Sequence, residues 1–222
     1  MRTKLPFLIG MLLLLGACGT AKRGLRDGVY STREGRAMVQ VIDDTVSVRP
    51  IGADTMRTSS SYPSIVSSSD APAPLRLLQH SLDVDLLTTL VKFRPAAADQ
   101  PPQLETHLSG SLYVGYRVDR YDLWYPDIGY ARRSRKETHT GLSMGLFLGL
   151  GGTSMSPWTT QQTRQTEYTG VVLSHGAALI SAIGSVTVGC AVGRDHLLDD
   201  NAGSWIHEGR PWLGLVFGLN LN

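Results

Sequence analysis

Apolar and polar residues alternate strictly along most of the C-terminal two thirds of the chain, and that period of two predicts β-strands. Apolar runs separated by polar connectors fall at Leu82 to Phe93, Leu104 to Val118, Thr138 to Gly151, Tyr168 to Ile183, Ser185 to Arg194 and Pro211 to Leu221. In the second run Leu104, Thr106, Leu108, Gly110, Leu112, Val114, Tyr116 and Val118 share one face. In the third, Leu142, Met144, Leu146, Leu148 and Leu150 stand opposite Gly141, Ser143, Gly145, Phe147, Gly149 and Gly151. The last sets Leu213, Leu215, Phe217, Leu219 and Leu221 against Trp212, Gly214, Val216, Gly218, Asn220 and Asn222. One face is greasy; the other is small or polar. Several runs exceed the five or six residues usual in soluble sheets and reach the 9 to 11 that a tilted strand needs to cross a bilayer.

A soluble barrel would turn the greasy face inward and show water a charged surface. Here the second face is Gly, Ser and Asn, which suits the narrow interior of a small barrel whose greasy side meets lipid. Charge placement agrees: no Asp, Glu, Lys or Arg occurs in 138–151, 168–193 or 211–222, and the connectors concentrate them instead. Trp124, Tyr125, Trp158, Tyr168, Trp205 and Trp212 sit near run ends, where amphipathic rings would form interfacial girdles. The 26 uncharged residues Tyr168 to Gly193 are long enough for a membrane helix, but their glycines and β-branched residues favour two strands hinged at Gly184-Ser185.

Upstream, Ala37 to Ile42 and Thr45 to Pro50 flank Asp43-Asp44 as a hairpin. From Gly52 to Pro74 the composition shifts to Ser, Thr, Pro and Ala, as in a flexible linker. The expected organisation is therefore a leader at 1–17, a tether and β-hairpin at 18–51, a linker at 52–74 and a β-barrel at 75–222.

The leader joins Arg2 and Lys4 to an apolar stretch from Leu5 to Leu15 and a small-residue exit, Gly16-Ala17. This is a secretory signal, too short to persist as a membrane helix. Leu15-Gly16-Ala17-Cys18 resembles the lipobox of bacterial lipoproteins. That resemblance implies cleavage between Ala17 and Cys18 and a covalent diacylglycerol and acyl chain on Cys18, with no other cofactor. Gly19, rather than an aspartate, follows the cysteine, which by analogy favours the outer membrane.

The stretch from Leu82 to Asn222 resembles the small outer-membrane β-barrel proteins of Gram-negative bacteria in Leu112 to Arg117, Gly145 to Gly151 and the closing Pro211 to Asn222. The resemblance implies an all-β fold, a small antiparallel up-and-down barrel of about eight strands, with the N-terminal hairpin supplying two beside the six runs.

Composition changes the picture little further. The chain has 222 residues, 42% hydrophobic and 18% charged, with 24 glycines that point to tightly packed strands. Without Arg2 and Lys4, 21 − 2 = 19 basic residues face 19 acidic ones, so a general nucleic-acid partner is not expected. Once Cys18 is acylated, Cys190 has no disulfide partner; Val188 to Val192 around it offers no base and reads as a buried strand.

No constellation builds an active site, and no enzyme is expected. Glu105 and His107 on one run and His139 on another are the types that ligate zinc, but the register between the runs is not fixed by sequence, and Asp195, Asp199, Asp200 and Asn201 match no EF-hand spacing, so no metal is assigned. Arg132, Arg133, Arg135 and Lys136 are the candidate contact for an anionic partner such as lipopolysaccharide or another envelope protein. Two readings follow. One is a non-enzymatic outer-membrane lipoprotein with an embedded barrel and a structural or interaction role among the membrane lipids. The other is a lipid-anchored periplasmic barrel or sandwich holding an apolar ligand, in the manner of lipocalins.

Overall fold

The computed structural model describes residues 24–52, 59–98, 100–183 and 186–220. The chain is all-β, with antiparallel pairing throughout. In chain order the strands are β1 (Gly28–Thr32), β2 (Gly35–Ile42), β3 (Thr45–Pro50), β4 (Ser60–Tyr62), β5 (Ile65–Ser67), β6 (Leu75–Arg94) and β7 (Gln103–Glu105), followed by β8 (Ser109–Trp124), β9 (Asp127–Gly129), β10 (Arg132–Ser134), β11 (Lys136–Met155), β12 (Tyr168–Ile183), β13 (Val186–Leu197) and β14 (Pro211–Asn220).

Six of these are long and correspond to the six apolar runs. They pair in the order β6, β8, β11, β12, β13, β14, and β14 pairs again with β6, so the ladder returns to its start. The ring of pairings thus has six strands where about eight were expected. The N-terminal hairpin does not enter it. Instead β1 joins β6 through Ser31 opposite Leu78, and β2, β3 and β4 follow outward from β1. A single strand can serve both assemblies because β6 is twenty residues long: it meets β14 over Asp85 to Phe93 and β1 nearer its start.

The hairpin turn follows sequence chemistry. Asp43 and Asp44 adopt φ of 45° and 62°, the paired left-handed conformation a two-residue turn requires, and aspartate tolerates it better than most residues. β4 and β5 fall within the Ser/Pro-rich stretch expected as linker; β5 pairs with β10 in a separate three-stranded sheet with β9.

Two kinds of core result. In the N-terminal module Tyr30, Val39, Val46, Tyr62, Leu77, Tyr121 and Leu123 pack as an ordinary apolar core shared by the hairpin and the adjoining ends of β6 and β8. Within the ring the buried face is mixed, with Leu87, Tyr113, Phe147, Ile180, Trp212 and Val216 clustered between layers of charge. A third cluster, Met155, Val172, Leu197 and Trp205, lies at the end of the ring away from the module.

Candidate functional site: the outward wall, the charged interior and the module

Alternation sends the leucines out. Leu82, Leu112, Leu142, Met144, Leu146, Leu148, Leu150, Leu213 and Leu215 are all at least half exposed, with Leu146 at 70%. Successive cross-strand partners once round the ring are Val84, Val114, Leu146, Ala177, Val192, Leu213 and finally Phe93 on β6 again. Every member of that lap is apolar. A contiguous apolar surface of this extent is unusual on a monomer in water.

The lap one residue inward runs Asp85, Tyr113, Phe147, Gly176, Gly193 and Trp212. Its glycines are needed for space: a β-carbon on Gly176 would lie 3.0 Å from the Phe147 ring, and one on Gly193 would lie 2.6 Å from the Trp212 indole.

At the end distant from the module, buried Asp195 gathers four donors. Lys92 Nζ donates at 3.0 Å, Trp212 Nε1 at 2.8 Å and Ser174 Oγ at 2.6 Å, and Arg94 Nη2 completes the set. Arg94 Nε also donates to Glu105 at 2.6 Å. Lys92 reaches across to Asp195 from a strand that does not pair with β13, so this network ties non-adjacent strands together. Nearer the module Arg117 bonds Asp119 at 3.0 Å and approaches Asp83 at 3.4 Å, while His139 bonds Asp119 at 2.6 Å and stacks on Tyr121.

The segment 198–210 covers the Asp195 end, with Trp205, Ile206 and His207 buried. Arg94 lies 5.2 Å from the Trp205 ring, and His207 Nε2 contacts Gln103 Oε1 at 3.2 Å. Burial, reinforced by the Arg94 charge, pushes His207 down to about 4.

Several sequence expectations are revised here. Trp124 and Trp158 are exposed, but Tyr125, Trp205 and Trp212 are buried, so the girdle expected from six aromatic residues is reduced; Trp212 turns inward because its position has the parity of the inner face. Cys190, read as buried, is exposed on the greasy face beside Val188 and Val192. Of the basic run, Arg135 Nη1 donates to the carbonyls of Tyr62 at 2.6 Å and Asp44 at 2.8 Å, stitching the hairpin turn to β4. Arg132 and Arg133 belong to β10, and Lys136 opens β11 opposite Trp124; Arg132 and Lys136 are exposed. Ala17 and Cys18 lie outside the described residues.

The candidate metal residues do not converge. Glu105 sits 3.5 Å from His107 and binds Arg94, His139 binds Asp119 at the other end, and Asp199 accepts from Tyr168. Among the described residues no group of three or more His, Cys, Asp or Glu is placed to hold a metal ion. Sequence reasoning missed Asp195 as a hub; its inward parity on β13 was the available signal.

In the N-terminal module a cleft of about 680 Å³ opens between the ends of β1, β2, β3, β4, β6 and β8. Buried Ala37, Val48, Tyr62 and Leu123 form its floor, and Arg33, Arg36 and Arg76 stand on its rim. Asp122 there accepts from Arg76 at 2.8 Å and Arg120 at 2.6 Å, and although burial acts the other way, these bonds hold its carboxyl below the usual range.

Comparison with family models, with curated proteins and with solved structures finds no match to this chain.

Proposed function

We propose that the protein is a non-enzymatic outer-membrane lipoprotein whose six-stranded ring is a small closed barrel embedded in the bilayer, anchored additionally through an acylated Cys18, with a structural or interaction role. The observation that carries this reading is the outward lap from Val84 to Phe93, apolar on every strand. The lap ends nine positions beyond its start on β6, one taken up by the irregularity at Leu90. A stagger of eight over six strands corresponds to a strand tilt of roughly 45°. The exposed leucines of β11, Leu142 to Leu150, then span nine residues, the length a tilted strand needs.

The filled interior argues against a channel. Phe147, Tyr113 and Trp212 occupy the centre, and the Lys92–Asp195–Arg94 network closes one end. Inward charge is tolerable in such a barrel where it is paired, as Lys92 and Arg94 are with Asp195, and Arg117 with Asp119 and Asp83. The N-terminal module sits at the end where Leu25 N donates to Glu137, and seven residues from Cys18 reach at most about 25 Å. The acyl anchor and the module would then share one side of the membrane, and the 198–210 cap would face the other.

A lipocalin-like ligand inside the ring finds no support, since the buried face there is charged and filled. The test is the partitioning of Cys18→Ala. The expected result is retention in membranes after alkaline carbonate; quantitative release would overturn the embedded barrel.

A further inference from the structure

We infer that the cleft of the N-terminal module binds a single acyl chain carrying an anionic head, with the chain on the Ala37–Val48–Tyr62–Leu123 floor and the head at Arg33 and Arg36. This inference does not depend on whether the ring is embedded in a membrane.

The argument begins with shape. The cleft lies within the 300–1,000 Å³ typical of ligand sites. Its floor consists of residues that are buried yet border open space, so an apolar guest would complete the core that Tyr30, Val39 and Val46 begin. The walls are strand ends: the β1–β2 turn, Pro50 at the end of β3, Ser60 at the start of β4, Leu75 and Trp124.

Charge then selects the head. Arg33 lies in the two-residue turn between β1 and β2 and Arg36 two residues beyond it, and both line the cleft. Neither holds an ion pair among the described residues, whereas Asp122 is already shared by Arg76 and Arg120. Among the described residues, Glu34 is the one other carboxylate lining the cleft, so three arginines there face two carboxylates. Guanidinium groups bind a carboxylate or phosphate through paired, charge-assisted bonds and have no such partner in a neutral head.

The experiment uses the full-length protein in nanodiscs of zwitterionic lipid, photolabelled with a diazirine-bearing palmitate and mapped by mass spectrometry. Adducts are expected on the peptides carrying Val48, Tyr62 and Leu123, and unmodified palmitate should compete at least tenfold better than its neutral glycerol monoester. Arg33→Glu combined with Arg36→Glu should lower cleft labelling at least fivefold while adducts on Leu146 and Leu213 persist. Ser60→Trp, which fills the mouth without altering its charge, should give the same loss and carries the test if the charge reversal disturbs folding. Adducts confined to the wall, equal competition by the neutral ester, or undiminished cleft labelling in either variant would overturn the inference. Because the readout lies on module peptides, its failure is separable from failure of the barrel reading.

Discussion

Gly193 and Trp212 face each other across β13 and β14 so closely that a β-carbon on the glycine would sit 2.6 Å from the indole Cζ2. The Phe147 ring and the His175 carbonyl lie 2.9 Å from the same point, so the wall must give if any side chain is added. Gly193→Ala should therefore cost about 1–3 kcal/mol by overpacking. Gly110→Ala, on the same ring but with nothing within 4 Å of its added carbon, is the matched control. Heat-dependent gel mobility in detergent reads both, and a Gly193 variant as resistant as wild type would contradict the packing.

The outward wall makes a prediction of opposite sense in water and in lipid. Leu146 is 70% exposed, so in an aqueous setting Leu146→Arg would change stability by less than about 0.5 kcal/mol. At the centre of a bilayer the same substitution costs about 2–4 kcal/mol. The expected outcome is a loss of membrane-inserted protein for Leu146→Arg, measured by the folded fraction in vesicles. Unchanged insertion would place that face in water.

What could be read from the chain and what could not divide along physical lines. Period-two alternation is local, so the identity of both faces, the six long runs and the Asp43-Asp44 turn were legible from residues such as Leu142 to Leu150. Register is not local. Nothing in Lys92 or Asp195 alone announces that they meet, because their contact depends on how far β6 is offset when the ring returns to it. The same holds for Arg135, whose bond to the Tyr62 carbonyl depends on the pairing of β10 with β5. Ser60 to Ser67 was read as linker because its composition is weak in strand formers; pairing partners, rather than propensity, make β4 and β5.

Asp195 is the acceptor on which Lys92 and Arg94 both depend. Removing its charge in Asp195→Asn leaves two buried cations that, among the described residues, keep an ion pair only from Arg94 to Glu105, and breaking such a pair costs about 3–5 kcal/mol. The folded protein should be strongly destabilised, as seen by denaturant titration in detergent. Stability within 1 kcal/mol of wild type would show that the network is dispensable.

Arg135 should matter to the module and not to the ring. Its guanidinium donates to two carbonyls, so Arg135→Ala should cost about 1.5–3 kcal/mol locally and speed proteolysis near Asp44 and Tyr62. Arg132→Ala, at an exposed position, should leave cleavage there unchanged. Heat-dependent mobility of the ring should be unaffected by either.

His207 couples the cap to pH. Burial, with help from the Arg94 charge, lowers its value to about 4 from an ordinary 6.5, so between those limits the opened cap binds a proton that the closed cap does not. The stabilisation is complete above about 6.5 and is lost as pH falls toward 4. The cap segment carrying Trp205 to Glu208 should thus exchange its backbone hydrogens progressively faster on acidification, after correction for the intrinsic rate. Only the neutral ring is needed for the contact with Gln103, so His207→Gln should flatten this dependence while keeping the cap in place. A wild-type cap whose opening free energy is the same at pH 7 and pH 4.5 would mean that His207 is not held neutral by its surroundings.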